Sequence, residues 1–197
     1  RFRDLTGRTA AAEATVADLT GRHGRTATAS VTGHVEQAKD RLVSATTRLN
    51  QARQSSDLGE AEQAAQHLRT AEEDIALAAS LVTGIDRLDS ALTSAASLVP
   101  AALTGAEAAL AGRRDPAADR VLAAVREDLT GGPYDPLDAL RRIVRAVGAP
   151  PDGVLSAAAW LVARASVTTA DDFVTTHRGL VGAEARTRLA EARRLLL

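Results

Sequence analysis

The sequence predicts an all-α protein, an elongated bundle of long antiparallel helices with coiled-coil-like heptad packing. Three observations carry that expectation. Helix-favouring alanine, leucine and arginine dominate the chain, aromatic residues make up only 2% of it, and apolar positions return every three or four residues over most of its 197-residue length. With two Phe, one Tyr and one Trp available, a core has to be assembled from Ala against Leu and Val at close helix spacing.

The elements follow in order. Leu5, Ala12, Val16 and Leu19 stand at helical spacing and predict an opening helix within the first 22 residues. Over 30–56, Val35, Ala38, Leu42, Ala45, Leu49 and Ala52 alternate by three and four, which sets one apolar stripe on a second helix. Asp57 with Glu60 three positions on reads as a capping box, so a third helix is expected from about Leu58, antiparallel to the second. A heptad then persists to about residue 112, with Ala61, Leu68, Ile75, Val82, Ala96, Leu103 and Leu110 in one row. Ala71, Ala78, Ile85, Leu92, Val99 and Ala106 form the other row, and Asp89 breaks the pattern. A flanking apolar row, Leu81, Leu88, Ala95, Ala102 and Ala109, widens the face and calls for more than one packing partner. Pro100 is expected to kink or interrupt this long helix.

Asp115-Pro116 is a cap followed by proline at the first helical position, and opens a helix that Gly131-Gly132 ends. Asp135-Pro136 repeats the device, with Tyr134 placed to staple against Ala139 or Leu140. Ala149-Pro150-Pro151-Asp152 is the next break, and 153–197 reads as one helix or as two joined near His177-Arg178-Gly179. Residues 1–112 are therefore expected to form a hairpin region around the long heptad helix, and 113–197 a second hairpin region packed with it as one bundle. A faint internal repeat runs through both: Ala45, Arg48, Ala52, Gly59 and Leu68 recur in the same spacing as Ala117, Arg120, Ala124, Gly131 and Leu140.

Charge is balanced, 24 Lys plus Arg against 25 Asp plus Glu, and the signs alternate, so the chain lacks the electrostatic footprint of a nucleic-acid partner. No cysteine is present, which excludes disulfides and thiol nucleophiles. Methionine is absent even at position 1, so the chain is expected to be a segment of a longer one. Lys39 is the sole lysine, a bias typical of GC-rich bacterial coding.

Few residues offer chemistry. The four histidines, at 23, 34, 67 and 177, lack the i, i+3 or i+4 partners that a di-metal bundle site needs. Asp171 and Asp172 with His177 downstream are the nearest approach to a metal or catalytic site, and water-facing or helix-starting acids are the simpler account. Gly131-Gly132-Pro133 is followed by no Lys-Ser/Thr and makes a turn, not a phosphate cradle. Residues 90–106 carry no charge, which raises peripheral membrane association as an alternative, but hydroxyl residues, a proline and a glycine make them a poor span and burial in the bundle the better account. The interface candidates are the seam residues Leu81, Leu88, Leu92, Val99 and Leu103 together with Trp160, for which filling the core is an equal alternative.

Several words of the sequence are distinctive: Ala12-Glu13-Ala14-Thr15-Val16-Ala17-Asp18-Leu19, Val35-Glu36-Gln37-Ala38-Lys39-Asp40-Arg41-Leu42, Gly132-Pro133-Tyr134-Asp135-Pro136-Leu137, Asp171-Asp172-Phe173-Val174-Thr175-Thr176-His177-Arg178-Gly179 and Gly182-Ala183-Glu184-Ala185-Arg186. In these the chain resembles the long C-terminal helical region of actinobacterial TPM-domain proteins. The resemblance covers most of the chain and implies a cytoplasmic helical tail, tethered to the membrane through a segment outside this sequence. It carries over no catalytic residue. The expectation is thus a non-enzymatic helical scaffold or protein–protein interaction module, without cofactor, acting by self-association or by docking a helical partner.

Overall fold

The computed structural model describes residues 2–113, 115–148, 153–177 and 179–196. Among these, all regular structure is helical and no strand occurs: α1 Phe2–Ala27, α2 His34–Asp57, α3 Ala61–Leu110, α4 Pro116–Gly131, α5 Pro136–Val147, α6 Val154–Thr176 and α7 Ala183–Leu195, with one 3-10 turn at Ala29–Val31. The chain divides into two compact units, Arg1–Val16 with Val31–Asp86, and Ala17–Ser30 with Arg87–Leu197. The division falls inside α1 and inside α3, whereas the sequence suggested a boundary near residue 112.

In the first unit most of the α2 stripe and one of the two heptad rows are buried, whereas the other row is buried only in part: Ala61 and Leu68 are exposed and Ile75, like Leu49 of α2, is half-buried. Leu5 and Ala12 of α1, Val35, Ala38, Leu42, Ala45 and Ala52 of α2, and Ala71, Ala78, Leu81, Val82 and Ile85 of α3 are all withdrawn from solvent. Polar ties link each pair of helices: Arg8 to Asp86 at 2.9 Å, Lys39 to Glu13 at 3.0 Å, and Arg41 to Asp74 at 3.1 Å. Asp74 is itself only 6% exposed, and its second oxygen accepts a hydrogen bond from Ser44 at 2.6 Å. A carboxylate so deep in an apolar seam is tolerable because both oxygens have donors, and it ties one position of α2 to one of α3.

The turn between α2 and α3 differs from the expected capping box. Asp57 is the last residue of α2, not the cap of α3. Gly59 takes a left-handed φ of 79°, the Glu60 N–H donates to the Ser55 carbonyl at 2.8 Å, and the Gly59 N–H donates to that of Ser56 at 3.0 Å. These two bonds make a Schellman stop. Glycine without a Cβ reaches that geometry cheaply, so closure of the preceding helix outcompetes a side-chain cap on the next.

Pro100 does not interrupt its helix. α3 runs unbroken from Ala61 to Leu110 with Pro100 inside it. The proline faces solvent, where water can serve the carbonyl that its missing N–H leaves open, while Val99 and Leu103 hold both flanking turns in the core.

The core of the second unit joins Ala95, Val99, Ala102, Leu103, Ala106 and Leu110 of α3 to Leu122 and Val125 of α4, Leu140 and Ile143 of α5, and Leu155 and Ala158 of α6. The two proline-started helices form as expected. Asp115 accepts from the N–H groups of Ala117 and Ala118 at 3.0 and 3.1 Å, and Asp135 from those of Leu137 and Asp138 at the same distances. Tyr134 packs against the core cluster that holds Ala139 and Leu140. Asp89, the break in the heptad, is an ion-pair partner of Arg22 at 3.4 Å. Helix α1 extends beyond the expected 22 residues to Ala27, with non-helical Gly24 (φ 79°) inside it. The C-terminal segment is two helices, α6 and α7, separated at 177–182. The predicted break at 149–152 lies outside the described residues.

The internal repeat does not extend to packing. Ala45 is buried and its counterpart Ala117 exposed, while Leu68 is exposed and Leu140 fully buried. Both segments are helix–glycine–helix, but they turn different faces inward.

Candidate interaction surface

Five of the six interface candidates are already covered by the chain itself. Leu81, Leu92 and Val99 are at most 1% exposed, and Leu88 and Leu103 are also buried. They build the seams and offer no free surface. Trp160 differs: 48% of it is exposed.

The reason lies in how α6 is packed. Of its 23 residues only Leu155 and Ala158 are buried, and both lie near the end that meets α3 and α5 in the core cluster. Gly105 permits that approach, because a Cβ there would come 3.0 Å from Cγ1 of Val154. Beyond this anchor the helix stays apolar and is covered on one side only, where Leu161 and Val162 pack half-buried against the core cluster. Between Val154 and Ala170 the sole charged residue is Arg164. At about 100° per residue, Ser156, Trp160, Ala163, Val167 and Ala170 fall within an arc of roughly 80°. All are exposed except Val167, which is half-buried. Arg164 borders this arc, and its guanidinium carbon sits 5.1 Å from the centroid of the Trp160 ring. The stripe is uncharged and open to water at four of its five positions.

The Asp171, Asp172 and His177 group does not converge. Asp171 pairs with Arg193 of α7, and Asp172 with Arg87 of α3. His177 Nδ1 lies 2.8 Å from the Thr176 hydroxyl and 3.2 Å from the Phe173 carbonyl, and its ring stacks on Phe173 at 4.4 Å. Each acid fixes α6 to a different neighbour. Burial pushes the Asp172 carboxyl above its ordinary value, and the Arg87 charge only partly reverses this. Among the described residues, no three His, Cys, Asp or Glu side chains come together to hold a metal ion.

The uncharged 90–106 stretch turns Leu92, Ala95, Val99, Ala102, Leu103 and Ala106 inward. It leaves Thr93, Ser94, Ser97 and Thr104 to solvent, so the apolar side chains a membrane would need are already engaged. No described helix is long and apolar enough to cross a membrane. A shallow cavity of about 300 Å³ between α4 and α5 is lined by Asp115, Val121, Arg142 and Arg145 among others. Its Asp115 is taken up by capping and its Arg142 by Asp128 and Asp138.

Sequence reasoning placed Trp160 among several equal candidates and missed the stripe around it. The signal available in the sequence was the single charge between Val154 and Ala170. No family model matches the chain, and no curated protein or solved structure matches it either.

Proposed function

We propose that this chain is a non-enzymatic helical interaction module whose binding surface is the Trp160 face of α6. The observation that carries this reading is the uncharged, uncovered stripe from Ser156 to Ala170 on a helix whose two buried residues lie in its first turns. Small side chains at Ser156, Ala163 and Ala170 let a second helix approach closely, and Trp160 supplies one large anchor among them. Seams that stabilise the scaffold are separate from the face that binds. The sequence resemblance to the helical tail of TPM-domain proteins fits a cytoplasmic, membrane-tethered module of this kind. Binding by the face holds whether the occupant is another protein or a second copy.

Site-specific photocrosslinking tests it. Ala163→benzoylphenylalanine, irradiated in the cells that make the protein, is expected to give an adduct of defined mass, while Ala123→benzoylphenylalanine on the exposed side of α4 gives none. Equal labelling from both positions, or none from either, would overturn the assignment of the surface.

A further inference from the structure

We infer that the occupant of the Trp160 face is a protein helix with an apolar stripe flanked by Asp or Glu, a partner class that rests on the reading of α6 as the interaction surface. The inference comes from the charge left over on this part of the chain. Every described carboxylate of α6 and α7 is already in an ion pair: Asp171 with Arg193, Asp172 with Arg87, Glu184 with Arg188 and Glu191 with Arg194. Arg164 has no carboxylate within ion-pair reach among the described residues, and its recorded neighbour is the Trp160 ring. Stacking on a ring engages the flat face of a guanidinium and leaves its in-plane N–H groups free to donate. The open stripe is therefore bordered by Arg164, a cation with unused donors, and by Asp171, whose charge Arg193 already takes up.

Complementarity then sets the partner's chemistry. A leucine-type stripe covers Ala163, Val167 and Ala170 and packs on the indole, and a carboxylate one turn along the partner meets Arg164 in the geometry that arginine favours. A second copy packed antiparallel on the same stripe would instead bring its own Arg164 toward the first, where like charges repel. A basic helix would meet the same penalty.

Trp160 is the only tryptophan of the chain, so its emission reports this face and no other. The probe is a synthetic amphipathic helix with leucine on one face and glutamate on both flanks, titrated into the full chain. Its isomer with lysine flanks, anionic phospholipid vesicles and a dilution series of the chain alone serve as separate arms. The expected result is a saturable blue shift with the glutamate peptide that weakens with salt and loses about tenfold in affinity with Arg164→Glu. Ala163→Glu, which places a charge in the stripe but touches no core residue, should abolish it. An equal shift with the lysine peptide, a shift only with vesicles, one that follows chain concentration, or no shift at all overturns the acidic-helix assignment. If position 163 still crosslinks in cells in any of those cases, the interaction surface stands and only the partner class falls; if it does not, both fall.

Discussion

At the scale of single residues, the burial of polar groups decides more than their number. His23 is 7% exposed and neither ring nitrogen has a hydrogen-bond partner among the described residues. An imidazole so placed forgoes its hydration without replacement, at a cost of about 1–3 kcal/mol. His23→Leu is accordingly expected to raise the denaturation midpoint, measured by thermal melting followed by circular dichroism, and a lowered midpoint would contradict the account. Asp172 offers a test with a sign. Its folded pKa lies above the ordinary 3.8 because burial disfavours the charge more than Arg87 restores it. Between those values the native state holds more proton than the unfolded chain, so this group's contribution to stability falls as pH rises through the window. Asp172→Asn should therefore be at least as stable as the wild type at neutral pH. The difference should shrink as pH drops below about 4, in denaturant melts compared at both pH values.

At the scale of elements, glycine and aspartate positions separate what is local from what is packed. Gly21 lies in α1 with nothing near its missing Cβ, whereas a Cβ at Gly105 would press on Val154. Gly21→Ala should stabilise by about 0.5–1 kcal/mol through helix propensity alone. Gly105→Leu should destabilise by about 1–3 kcal/mol, because the side chain has to displace α6. Denaturant titration of both variants checks the contrast, and a stable Gly105→Leu chain would mean that α6 is not held where we describe it. Asp115→Ala and Asp135→Ala each remove a cap and should cost about 1 kcal/mol apiece. These caps, most of the α2 stripe and the heptad row from Ala71 to Ala106 were legible in the sequence because local chemistry fixes them, whereas the other row fails at Ala61 and Leu68, which are exposed. Capping by Asp57 and interruption at Pro100 fail for a shared reason: a local preference was read without its competitor. At 57 the competitor was a glycine that closes the preceding helix, and at 100 it was a core that holds both sides of the proline.

At the scale of the whole molecule, the heptad pattern predicted that apolar rows are buried but could not say by what. Leu81, Leu88, Leu92, Val99 and Leu103 looked like docking positions because periodicity is the same whether a seam meets its own chain or another. Burial within the chain resolves that ambiguity for them. The surface that is left lies on α6, where Trp160 could equally have filled the core. Sequence could not locate it, because which face of an apolar helix is covered depends on how helices α3, α5 and α7 pack against it. The proposed function therefore rests on one structural statement, that the indole of Trp160 stands at an open face. Acrylamide quenching of tryptophan emission in the isolated chain at low concentration measures this directly, since there is no second indole to confuse it. We predict red-shifted emission quenched to about half the extent of free tryptophan, in line with the 48% exposure of the residue. Blue-shifted emission that the quencher cannot reach would place Trp160 inside the core and contradict the interaction surface.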